Sequence, residues 1–178
     1  MAVDAFRPDG SINVIVETPR GAGIKLKHDA DSGRIMLSRA LPVGVTYPYD
    51  WGFIPATQAP DGDPLDVMIL WECASYPGLL VPCRLIGALK VEQTDAASGT
   101  CQRNDRLFVV PIKAPRVAHV QTIFDFPVRI HRELEQFFLN VVAFEGKTLS
   151  LLGFAGPDDA SALLQSCLLA RHETAIGR

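Results

Sequence analysis

The sequence predicts a mainly β protein, a closed or strongly curved antiparallel barrel with two helices packed outside it. Three observations lead there. At least six strand-like runs fall before residue 113 with no helix between them, which disfavours a doubly wound sheet. Clusters of turn-forming Gly, Pro, Asp and Ser separate those runs. Only in the last third does the apolar spacing change from that of strands to that of helices.

The first run, residues 12–17, alternates and is rich in branched side chains, and TPRGAG breaks it. Residues 24–27 and 34–37 flank the turn signal DADSG and suit a hairpin. YPYDWGFIP suits a loop leading into a short strand, with its rings packed over a cavity. DVMILWE shows little alternation, as expected of a strand covered on both faces. Residues 79–93 form a longer β-rich run interrupted at Pro82 and Gly87, TDAASGTCQRND is polar and turn-like, and RLFVVPI returns to strand. Ile130, Leu134, Phe137 and Val141 then recur at helical intervals, with Asp125 as an upstream cap and Gly146 as the stop. KTLSLLGF reads as a short strand. PDDASALLQSCLLARHE opens with proline and aspartates, carries a stripe of Ala160, Leu163, Leu164, Cys167 and Leu168, and reads as a second helix.

The 178 residues fit one domain spanning 1–178, large enough to fold without disulfides or metal. A net charge of -3 argues against a nonspecific nucleic-acid binder. No apolar run reaches the length of a membrane span and the N-terminus lacks the core of a secretory signal, so a soluble, cytoplasmic protein is expected. Cys73, Cys83, Cys101 and Cys167 are widely spaced in mostly apolar surroundings and read as isolated buried thiols. His28, His119, His131 and His172 form no evident ligand set.

Residues 59–70, APDGDPLDVMIL, place Asp61, Asp63 and Asp66 within six residues, ahead of an apolar run. Asp61 and Asp63 point the same way if the chain is extended, and Asp66 opens the next strand. Three like charges at this spacing repel unless something positive sits among them, and a hard cation such as Mg²⁺ takes oxygen ligands. A solvated turn with a side-chain cap is the plainer alternative. The preceding segments also supply Arg20, Lys25, Lys27, Arg39, Tyr47 and Tyr49, and carboxylate-bound metal opposite Lys and Arg suits a multiply charged phosphate.

These residues resemble the family I soluble inorganic pyrophosphatases. Their DGDPLD signature stands intact at residues 61–66, and IVETP with Glu17, the IK pair ending in Lys25, SRAL with Arg39 and TYPYDWGFIP with Tyr47 match in order and spacing. CRLIGALK and VVP extend the resemblance over nearly the whole chain. It implies an OB-like closed five-stranded β-barrel with additional strands and two flanking helices. It also implies two or more Mg²⁺ ions, with Mn²⁺ as a substitute, which acidify a water that attacks pyrophosphate in line. Carried over, Asp61, Asp66 and Glu17 serve the metals, with Asp95 for the upstream family aspartate. Asp63 orients or deprotonates the water, Lys25, Arg39 and Arg106 bind phosphate, and Tyr47 stands beside them. A homo-oligomer, as a hexamer, is also expected. The apolar excess of Phe137, Phe138, Val141, Val142 and Phe144 means that the helix is either deeply buried or in part in contact with another subunit.

Departures from the pattern cluster. Lys27 stands where a carboxylate is usual and Trp51 where tyrosine is, which predicts a neutral or mispaired site. Asn104, Asp105 and Arg106 fill the frame of Asp, any residue, Lys, and the loop holding Asp95 is lengthened. Val141 and Val142 take the places of a Tyr-Lys pair. Removing a charge-assisted bond to phosphate costs about 1.5–3 kcal/mol at each such position. Three readings stay open on sequence: a pyrophosphatase, a hydrolase of another phosphoanhydride or phosphate ester, and an impaired assembly or anion-binding protein.

Overall fold

The computed structural model describes residues 3–29 and 31–169. Five strands close a ring: β1 (Ile12–Thr18), β4 (Asp50–Phe53), β5 (Asp66–Ile69), β8 (Arg106–Pro111) and β6 (Leu80–Asp95), with β6 returning to β1. The closed barrel expected from sequence is therefore present. It is not wholly antiparallel, because β5 and β8 run parallel, Val67 facing Leu107. Their pairing joins segments 40 residues apart, beyond the reach of any local pattern.

Strand β6 is the spine. Its first residues pair with β1, its middle with β8, and its far end with β7 (Cys101–Arg103) and β9 (Lys147–Ala155). The expected interruption at Pro82 does not occur: Pro82 sits in register with Asn13, and its carbonyl accepts the Ile112 amide at 3.0 Å. Gly87 instead makes a bulge at φ +156°, where an added Cβ would stand 2.5 Å from the Ala155 carbonyl and 2.7 Å from Ile123. The strand turns there without ending.

The ring strands are buried on both faces, which explains why β5 and β8 read as unbroken apolar runs. Met68 and Phe108 pack in the core shared with α1 (Val128–Val141), while Val67 and Leu107 pack in the core shared with α2 (Pro157–Ser166). Helix α1 differs at both ends from expectation. Asp125 caps a preceding 3-10 turn with Thr122 and not α1, whose N-cap is Pro127. The helix stops at Val141, ahead of Gly146, and the residues between form a turn beside the cleft described below. Phe137, Phe138 and Val141 face the barrel, so this apolar excess is used internally; Phe144 is exposed.

Strands β2 (Ile24–Asp29) and β3 (Arg34–Ala40) form a separate hairpin. Two β1 side chains hold it: Thr18 Oγ1 accepts the Leu26 amide at 2.9 Å, and Glu17 Oε1 accepts the His28 amide at 2.7 Å. Nearby, the fully buried Asp50 carboxylate accepts from the Arg20 amide, Trp71 Nε1 and the Ser75 amide, fixing the start of β4. All four cysteines are free; Cys83 and Cys167 are buried as expected, whereas Cys73 and Cys101 are exposed. No described helix is long and apolar enough to cross a membrane. His172 lies outside the described residues.

Candidate functional site

A cleft of about 340 Å³ opens where the hairpin, the acidic turn, the far end of β6 and the C-terminus of α1 meet. Glu17, Lys25, Arg39, Tyr47, Asp61, Asp63, Asp66 and Arg106 all line it. These residues come from segments far apart in the chain, and the barrel closure brings them together.

The acidic segment is a tight turn and not an extended run. Gly62 adopts φ +90°, its amide donates to the Ala59 carbonyl, and the Asp63 amide donates to Asp61 Oδ1 at 3.2 Å. The side-chain-capped turn is therefore present. Lys27 Nζ stands 2.8 and 2.7 Å from the two oxygens of Asp63. Asp66 is paired with Arg106, which also donates to the Asn104 side-chain oxygen. The mispairing expected at Lys27 is therefore an ion pair, and Arg106 faces a carboxylate within the protein.

Glu17 is buried, and desolvation pushes its carboxyl up to about 7 against the pull of the His28 amide. Lys25 is drawn below its usual range, first by burial. Tyr47 is packed 5.1 Å from Phe137 and 6.1 Å from Trp51, and burial pushes its phenol upward, away from any role as a base near neutral pH. Arg39 is held at the end of α1: one nitrogen donates to the Val141 carbonyl at 3.2 Å, and Nε approaches Glu145 at 3.1 Å as an ion pair without hydrogen-bond geometry. Trp51 lies under the Arg106 guanidinium, 5.6 Å from it, and its buried Nε1 has no hydrogen-bond partner in the protein.

Asp95 stands apart. Its carboxylate closes the turn after β6 by accepting from Ala97 and Ser98, and those bonds hold it below the usual range. Gln93, two residues earlier, faces the cleft in its stead, with Gln102 and Asn104 from the β7 side. Asp105 holds the Val91 amide and Arg103. Sequence reasoning missed Gln93 and Gln102 because the lengthened loop hides their register; strand alternation back from Arg106 would have found Asn104 and Gln102. Lys147 and Glu145 also reach the cleft, and Val141, Val142 and Leu149 give it an apolar wall.

The lining holds five carboxylates, Glu17, Asp61, Asp63, Asp66 and Glu145, against five cations, Lys25, Lys27, Arg39, Arg106 and Lys147. With Glu17 half protonated near neutral pH, the balance tips to positive, which suits an anion. For a divalent metal the donors fit at one place, the outer end of the turn, where Asp61 and Asp63 present exposed carboxylates. They do not fit a second ion: Asp66 is taken by Arg106, and Gln93, Gln102 and Asn104 bring neutral oxygens. Among the described residues, no three His, Cys, Asp or Glu side chains converge as a ready ligand set.

A family described as inorganic pyrophosphatase matches residues 14–171. The inorganic pyrophosphatase of Synechocystis sp. is 36% identical over 159 residues, covering 89% of this chain and 90% of its own. Among solved structures, the inorganic pyrophosphatase from Thermus thermophilus superposes with a TM-score of 0.84 at 32% identity, covering 93% of this chain and 94% of its own. That from Helicobacter pylori gives 0.81 at 29% identity over 94% and 95%.

Proposed function

Because the chain belongs to the inorganic pyrophosphatase family, we propose that it hydrolyses pyrophosphate to two phosphates in this cleft. The observation that carries the reading is the facing arrangement of the Asp61–Asp66 turn and the cations on β2, β3 and β8 around one cavity.

Lys25, Arg39 and Arg106 bind phosphoryl oxygens, and Lys147 adds a fourth cation from the start of β9. Arg39 arrives oriented, since α1 and Glu145 already hold its guanidinium. Asp63 orients the attacking water and accepts its proton, once its Lys27 partner turns toward the anionic substrate. Asp61 and Asp63 would hold a Mg²⁺ ion, which supplies charge to offset the phosphate oxygens and acidifies water. Glu17 keeps the hairpin in place through the His28 amide, which sets where Lys25 and Lys27 stand. The same reading assigns a single domain, a cytoplasmic location and assembly as a homo-oligomer.

Phosphate release from pyrophosphate with Mg²⁺ tests it. The native chain is expected to exceed Asp63→Asn by about 100-fold or more, the scale of losing a general base; equal rates would remove the proposal. Nucleoside di- and triphosphates in the same assay show whether the apolar wall at Val142 and Leu149 admits an organic group.

A further inference from the structure

Each cleft carboxylate but two is ion-paired: Asp63 with Lys27, Asp66 with Arg106 and Glu145 with Arg39. The exceptions are Glu17, buried and bonded to a backbone amide, and Asp61, exposed at the tip of the turn. A divalent ion entering the turn therefore finds one unpaired exposed carboxylate and, beside it, a second whose two oxygens are both in contact with an ammonium at 2.8 and 2.7 Å. The lining further includes the neutral amides Gln93, Gln102 and Asn104.

We infer that Lys27 is a tethered counter-ion that occupies Asp63 in place of a divalent metal, so that the free protein takes up no more than one metal ion per chain, and only weakly. Lys27 and Asp63 are both about half exposed, at 45% and 53%, so their pair is labile and yields to a stronger partner. A lysine ammonium is a compact charge on a flexible stem, able to leave Asp63 for a phosphate oxygen without moving the hairpin. Metal entry is thereby coupled to substrate: the anion draws Lys27 off Asp63 and frees the second ligand. Arg106 acts differently, since it is buried against Asp66 and stacked on Trp51, and it stays in place.

This rests on the reading of the cleft as a pyrophosphate site for its consequence, but its test contains no pyrophosphate, so the two fail separately. Free Mn²⁺ is titrated by electron paramagnetic resonance in the native chain, Lys27→Met, Lys27→Arg, Asp63→Asn and the double variant Lys27→Met with Asp63→Asn. The native chain and Lys27→Arg are expected to bind at most one Mn²⁺ at millimolar concentration, and Lys27→Met to bind tenfold or more tightly. In the Asp63→Asn background, the effect of Lys27→Met is expected to shrink to less than threefold. Two or more tight Mn²⁺ ions on the native chain would overturn the inference. So would Lys27→Met binding no tighter than native, or a tightening that persists in full without the Asp63 carboxylate.

Discussion

At Glu17, burial and a backbone bond oppose each other, and burial prevails, with the carboxyl at about 7 against 4.5 for the unfolded chain. The raised value means that the fold favours the protonated form. The stability this contributes is fully present below about pH 4.5 and is lost as pH rises through 7. Glu17→Gln keeps an oxygen for the His28 amide and removes the titration. In metal-free buffer, the native chain is expected to lose melting temperature relative to this variant between pH 5 and 8, by an amount equivalent to roughly 3 kcal/mol at most. Parallel melting curves across that range would show that Glu17 does not carry the effect. The residue types at the site were readable in the sequence, since eight of the nine expected side chains line the cleft. Their partners were not: Lys27 lies 36 residues from Asp63, and Arg106 lies 40 from Asp66.

Among the elements, β6 decides the most. It completes the barrel, then carries Gln93 out to the cleft, and the bulge at Gly87 lets one strand do both. Gly87→Ala places a Cβ against the Ala155 carbonyl and Ile123 at a backbone angle that favours glycine. A loss of about 3 kcal/mol is expected in urea unfolding, within the range of overpacking plus backbone strain; a change below about 1 kcal/mol would mean that the bulge relaxes freely. Local periodicity had revealed α1, α2 and most strands, because burial of one face imprints its spacing on the sequence. It misplaced the ends of α1 and broke β6 at Pro82, since the competing bonds at those points come from other elements. It also passed over β7, which exists only through pairing with β6.

For the whole molecule, the two cores take up Leu134, Phe137, Phe138 and Val141 of α1, and exposed apolar side chains remain at Val128 and Leu139 on that helix and at Leu37, Val43 and Phe144 beyond it. Self-association through such surface is part of the proposed function. Light scattering coupled to size exclusion is expected to give six times the 19.4 kDa of the chain, and a stable monomer at micromolar concentration would dispose of it. The overall charge of -3 gives no hint of the cleft, where acids and bases are equal in number. Substrate therefore meets a field set by local geometry and not by net charge.

By itself the sequence determined the order of both helices and of most strands, the acidic turn and the supply of cations, because propensity and apolar spacing act over a few residues. The tertiary structure alone decided that β5 and β8 run parallel, that Gln93 and not Asp95 reaches the cleft, and that Lys27 meets Asp63. Those outcomes depend on how distant segments close around one barrel, and charge pairing follows distance in space, which no short window of sequence encodes.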